Sequence, residues 1–174
     1  FHPGAHTGSG RDTGVKRIAE GIDELDIPEN VTLLLENTAG KGTTLGRSMG
    51  ELRDMIKHAD TPDEKIGVCI DTCHAHAAGY DLKTEEGFSD FLQEIEEDLG
   101  LESVKVIHLN DSKDERGSEK DNHQDIGCGK IGDEGFSNVV NCEEFEELPM
   151  ILETPSEERA GYKENREKIL ELRN

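Results

Sequence analysis

Asp71 and His74 follow the apolar run Gly67-Val68-Cys69-Ile70 and precede a small-residue turn, Ala77-Ala78-Gly79, so the stretch reads as a strand delivering a carboxylate and an imidazole. The same grammar recurs three times: Val31 to Leu35 ends on Glu36, Val104 to Ile107 on His108, and Met150 to Leu152 on Glu153. Carboxylate and imidazole are the donors that suit a hard or borderline divalent cation such as zinc. Acids make up 40 of the 174 residues, so one acid after an apolar run says little. A histidine there is rarer, and the fourfold repeat carries the inference. Period-two alternation puts Asp71 on the face of Cys69 and Gly67, and His108 on the face of Val106 and Val104. In the tripeptide Asp121-Asn122-His123 the outer two side chains point the same way if the segment is extended.

Such tips need elements behind them. From Arg11 to Leu25 the residues Val15, Ile18, Ile22 and Leu25 share one helical face, and Pro28 separates that helix from a strand over 31–36. Leu45, Met49, Leu52 and Ile56 stripe a second helix, and a strand over 66–71 follows. Phe88, Phe91, Leu92, Ile95 and Leu99 stripe a third helix, closed by Gly100. A strand over 104–109 runs into a long polar loop from Asn110 to Gly132, and Phe136, Val139 and Val140 give a short helix. A strand over 149–153 and a charged helix with Tyr162, Ile169 and Leu172 finish the chain.

Phe1-His2-Pro3-Gly4 reads as the tail of a strand whose beginning is absent, and the chain has no initiator Met. The order (β)αβαβαβαβα predicts a parallel sheet with ligands at one end of it. A doubly wound sheet and a TIM (β/α)8 barrel both satisfy this, but only a barrel aims every strand end at a common centre. The barrel is therefore the expectation. Eight units would need about 250 residues, so about five of eight β/α units are expected in a single partial barrel over 1–174. The first three strands and most of the fourth would be missing, leaving two unpaired edges.

The charge balance is unusual: 40 acids against 19 Lys and Arg give a net charge of −21. An acidic shell holds hydration when salt screens ordinary electrostatics, which points to a halophilic source. Taken at face value it also argues against nucleic acid as partner. Cys69, Cys73, Cys128 and Cys142 form no CxxC pair and no secreted-type framework, so a reducing cytoplasm is the simplest setting. Cys69 and Cys73 read as small core residues. No apolar stretch approaches a membrane span.

Read in order, FHPGAH, LLLENTAGKGTTLG, GVCIDTCHAHAAGYDL, VIHLNDSK, DNH with IGCGKIG, and MILETP resemble the successive motifs of endonuclease IV, the zinc-dependent apurinic/apyrimidinic endonucleases. The resemblance runs from the first residue to about Pro155. It implies a xylose isomerase-like barrel carrying three zinc ions, with manganese as an alternative, acting as a monomer on damaged double-stranded DNA. By motif, His2 would bind the first ion and Glu36 would bridge the first and second. Asp71, His108 and Glu153 would complete the second, and His74, Asp121 and His123 would hold the third. A further histidine for the first ion lies upstream in the family, as do loops that enter the minor groove. The implied reaction is hydrolysis of the phosphodiester 5′ to an abasic site, leaving a 3′-hydroxyl, in base-excision repair. Glu36 and Glu153 would orient the attacking water, and no protein general base is needed.

One departure stands out. The family loop commonly reads GSRxDRH, whereas Gly117-Ser118-Glu119-Lys120-Asp121-Asn122-His123 keeps the ligands and lacks both arginines. Lys113, Lys120 and Lys130 are the nearby candidates to grip phosphate in their place, and the charge of the ions would answer the acidic surface. Asn37 and Asn110 adjoin ligand-bearing tips and are candidates to hydrogen-bond substrate or the ligands themselves. His6 and His76 lie near ligands, and His58 sits near a helix end. Two rival readings remain. Sugar isomerases and epimerases of the xylose isomerase-like barrels also gather Glu, Asp and His at strand ends, but have no need of a third site built from His74, Asp121 and His123. Alternatively, the chain by itself is an inactive metal-binding fragment of the nuclease.

Overall fold

A computed structural model describes residues 1–155 and 161–174. Four strands, β1 (Leu33–Glu36), β2 (Ile66–Asp71), β3 (Val104–His108) and β6 (Met150–Ile151), form a sheet in the order β1-β2-β3-β6, all parallel. Two more, β4 (Asp111–Ser112) and β5 (His123–Gln124), make an antiparallel hairpin within the loop expected to be irregular. The helices are α1 (Arg11–Asp23), α2 (Met49–His58), α3 (Thr72–Ala78), α4 (Glu85–Asp98), α5 (Gly132–Val140) and α6 (Tyr162–Leu172). Parallel neighbours joined through helices are the geometry of a partial α/β barrel. Phe1 extends it: its amine donates to the Leu34 carbonyl at 2.9 Å and its carbonyl accepts from Glu36 N–H at 3.0 Å, so the expected strand tail lies against β1.

Local chemistry explains where the helices begin. Ser48 caps α2 by accepting from Glu51 N–H, and Thr84 caps α4 by accepting from Gly87 N–H. Met49, Leu52 and Met55 of α2 and Phe88, Phe91 and Ile95 of α4 are buried against Leu35, Val68, Ile70 and Ile107 on the outer face of the sheet. Leu45 joins this core but precedes α2, because Gly46 at φ +91° and the Ser48 cap start the helix later than the apolar spacing suggests. The other face of the sheet carries the chemistry.

Two expectations about that face need correcting. Ala77-Ala78-Gly79 is not a turn leaving the strand. The Asp71 carboxylate accepts from His74 N–H and so starts α3 at once, and Gly79, at φ +121°, ends it. In β3, Val68 pairs with Val104 but Cys69 pairs with Val106, so Lys105 is bulged out of register. Val104 therefore joins Val68 in the core, and only Val106 shares a face with His108. No helix among the described residues is long and apolar enough to cross a membrane.

Candidate metal centre

Sheet register sets the strand tips side by side: Glu36 lies opposite Cys69, Asp71 opposite His108, and His108 opposite Ile151. Glu36 is the hub. Its Oε1 lies 3.2 Å from His108 Nδ1, 3.4 Å from His74 Nδ1 and 3.6 Å from His2 Nε2. His108 Nδ1 is also 3.2 Å from Glu153 Oε2 and 3.9 Å from Asp71 Oδ2. A second focus lies on the far side of His74, where Asp121 Oδ1 is 3.1 Å from both His74 Nε2 and His123 Nε2. The eight residues expected as ligands are thus brought together at one end of the sheet. Three sets stand out as able to surround an ion: His2, Glu36 and His74; Glu36, Asp71, His108 and Glu153; and His74, Asp121 and His123.

The fit to a cation rests on bare donor atoms. His74 Nδ1 lies 2.9 Å from the Asn37 carbonyl and His123 Nδ1 lies 3.1 Å from the Glu153 carbonyl, so each ring holds its proton on that side. In the neutral rings this leaves both Nε2 atoms with lone pairs to offer a cation, and both are buried without a hydrogen bond. Buried polar atoms are rarely left so. Zinc held at 2.0–2.1 Å in tetrahedral geometry sets its donors about 3.3 Å apart, close to the spacing seen here. The local field agrees. Although burial disfavours a charged ring, the Asp121 and Glu36 carboxylates hold the His74 imidazolium up to about 11. Contacts with Cys69 and Glu36 outweigh burial and raise His108. Glu36 and Asp121 are held below the usual carboxylate range, Glu36 by His108 and His74 against the effect of burial, Asp121 by His123 and His74. The negative field that holds protons on these imidazoles would also attract a metal cation, which must displace those protons to reach the ring nitrogens.

Asn37 and Asn110 had two roles open to them, and geometry selects the one directed at the ligands. Both are fully buried. Asn37 bonds both the carbonyl and the N–H of Asp71, at 3.1 and 2.6 Å, prolonging the β1–β2 pairing beyond the strand ends. Asn110 donates to Asp71 Oδ2 at 2.6 Å and accepts from Glu153 N–H at 2.8 Å, tying two ligands together. Its own backbone is held by Thr72 Oγ1. Each amide oxygen and one N–H of each amide are thus engaged within the ligand set. Asn110→Ala should weaken zinc binding about 10- to 100-fold and lower stability by about 2–3 kcal/mol, since a hydrogen bond to a buried carboxylate is lost. Chelator competition and urea unfolding measure the two effects. A stability loss with unchanged affinity would reduce Asn110 to packing.

The lysines fare differently. Lys113 is exposed beside the hairpin, where its N–H donates to the Asn122 carbonyl at 3.0 Å. Lys120 and Lys130 already pair with Asp114 and Glu115, at 2.8 and 2.6 Å, so a phosphate would have to compete with an acid for each. His6 accepts from Gly8 N–H in a local turn, His58 contacts the Asp54 carbonyl near the end of α2, and His76 is buried on α3. Cys69 and Cys73 are buried as expected, yet each also has a ligating atom near the cluster, Cys69 beside Glu36 and His108, Cys73 beside Asp71 and His123. For Cys69 the signal was available, because alternation puts it on the face of Asp71. Burial pushes its thiol up and that of Cys73 to about 12, so both rest as thiols. A cavity of about 580 Å³ lined by Arg53, Ile66 and Lys105 lies at the strand starts and takes no part in the cluster.

A family profile described as xylose isomerase-like TIM barrel matches residues 1–172. The chain is 44% identical over 171 residues to a protein named probable endonuclease 4 from Natronomonas pharaonis, a match covering 98% of this chain and 60% of that protein. The crystal structure of endonuclease IV from Thermus thermophilus superposes with a TM-score of 0.75 at 34% identity, covering 98% of this chain and 58% of that one. A D-tagatose 3-epimerase-like protein shares the fold alone, with a TM-score of 0.57 and 20% identity over 92% of this chain and 49% of that one. The chain thus spans about three fifths of the length of the endonuclease relatives. With parallel strands whose tips converge on one polar cluster and a profile match along nearly its whole length, the chain belongs to the xylose isomerase-like TIM barrel family and is similar within it to the endonuclease 4 proteins.

Proposed function

We propose that this chain carries most of the catalytic centre of a zinc-dependent apurinic/apyrimidinic endonuclease, which hydrolyses the phosphodiester 5′ to an abasic site in duplex DNA and leaves a 3′-hydroxyl. The supporting observation is the trio of His74, Asp121 and His123, with two bare imidazole nitrogens 3.1 Å from one carboxylate oxygen. A sugar epimerase of this fold would not need that trio. His2 and Glu36 would hold a first ion, Glu36 with Asp71, His108 and Glu153 a second, and the trio a third. Zinc, when bound, supplies an acidic water at neutral pH and offsets charge growing on the leaving oxygen.

The chain's own residues do the positioning. Glu36 reaches imidazoles of both foci and so fixes their separation. Glu153, half exposed at the end of the sheet and tethered through its N–H to Asn110, faces the open side, where a phosphate and an attacking water would meet. Its carboxylate and that of Glu36 would orient the water. Asn37 and Asn110 keep the ligands in register, so the groups need not reorganise during reaction. With a net charge of −21, sequence-independent attraction to DNA is weak, and recognition would come from the ions and from the shape of the damaged duplex.

Incubation with a duplex carrying one abasic site tests this reading, using the chain alone and the chain fused to the segment of the Natronomonas relative that it does not cover. The expected product is a strand cut 5′ to the lesion that a polymerase can extend, formed with zinc and abolished by a chelator. The coverage of three fifths leads us to expect zinc binding without efficient incision for the chain alone. Absence of cutting by the zinc-loaded fusion would overturn the nuclease assignment.

A further inference from the structure

The loop bearing Asp121 is bolted to the helix bearing His74, and Arg47 is the bolt. The last three residues of α3 present the carbonyls of His76, Ala77 and Ala78. Gly117 N–H donates to the first and Glu119 N–H to the second, each at 3.0 Å. Arg47 takes the third, donating to Ala78 O from Nη2 at 3.0 Å and from Nε at 3.3 Å. Its remaining arm, Nη1, donates to Glu119 Oε1 at 2.6 Å. Glu119 accepts this hold in a left-handed conformation, φ +57°, that residues other than glycine rarely adopt. Arg47 is itself fixed: a Cβ on Gly40 would sit 2.5 Å from its Cδ, so its stem lies flat on that glycine, and its N–H donates to Glu51 Oε2 at 3.0 Å.

Two residues beyond Glu119 comes Asp121, whose oxygen must stand 3.1 Å from His74 on the same helix. We propose that Arg47 is a positioning residue for the trio of His74, Asp121 and His123, acting through Glu119 and the end of α3 to fix Asp121 where the third cation is held. This rests on the metal-centre reading above. The cation that meets Glu119 comes from the segment between β1 and α2. The planar guanidinium suits the task, since one group spans a carbonyl and a carboxylate.

Zinc affinity measured by competition with a chromophoric chelator tests the proposal. In the purified protein, Arg47→Ala should weaken the ion that is lost on His123→Ala by about 10- to 100-fold and leave the others unchanged. Arg47→Lys should fall between, since an ammonium cannot hold Ala78 and Glu119 at once. The decisive comparison is Arg47→Ala in the His123→Ala background, where no further change in zinc affinity is expected. If Arg47→Ala does not fold, Glu119→Gln should still weaken that ion several-fold. Unchanged affinity in the folded variants, with or without a lower unfolding midpoint, would overturn the proposal. So would a loss that persists in the His123→Ala background. An unaltered protein that binds no zinc would sink the metal-centre reading and this inference together. Normal zinc binding with an indifferent Arg47 would sink the inference alone.

Discussion

Glu36→Gln should lower the rate of incision by more than about 10²-fold, beyond the 10- to 100-fold that loss of a residue outside the ligand set costs. The substitution keeps size and shape, so the sheet is left intact. What it removes is a carboxylate within 3.6 Å of imidazoles from three separate segments, those of His2, His74 and His108. An amide has half the acceptor capacity, and its NH2 would face His2 Nε2 and His108 Nδ1, which must stay free as donors to a cation. The charge that balances two neighbouring ions would also be gone. Because Glu36 is only 7% exposed and makes no contact that a substrate would replace, the loss should fall on kcat with KM little changed. Single-turnover incision by the fusion protein reads the effect directly. A rate within a few-fold of the unaltered protein would remove Glu36 from the reaction.

Zinc in excess should raise the midpoint of thermal unfolding by roughly 8–16 °C for each ion bound, and a chelator should reverse the rise. Binding at about 1,000 times Kd stabilises the folded state by about 4.1 kcal/mol per ion, and a chain of this length shifts by about 2–4 °C per kcal/mol. The physical source is the crowding of Glu36, Asp71, Asp121 and Glu153 around four imidazoles. Burial already raises the Asp71 carboxyl, despite the nearby His74 and His123, because an ionised carboxylate loses its hydration there. Magnesium should give a far smaller shift, since it prefers oxygen donors and keeps its waters. His123→Ala should remove part of the zinc effect. Equal shifts with both metals, or none with zinc, would contradict a nitrogen-rich site.

Much of the site was legible from residue types alone. A polar group at the end of an apolar run has few structural uses in a parallel sheet, and four such ends in one chain leave a shared centre as the economical explanation. Helical stripes were equally plain, because a core-facing helix must repeat near 3.6. Boundaries slipped where a side chain did two things at once. Asp71 ends β2 and also caps α3, so a segment that looked like a turn is helical. Alternation along β3 failed at Lys105, since a bulge leaves no mark in residue type.

What the amino-acid order determined by itself was the donor set, the alternation of strand and helix, and the excess of acid over base. Only the tertiary structure decided which donors meet. The bracing of Asp71 by Asn37 and Asn110, and the link from Arg47 to Glu119 that holds Asp121, join residues 34 to 72 positions apart. Spacing along the chain encodes none of these, because strand register and loop packing are set by contacts between elements and not by any one element's own pattern.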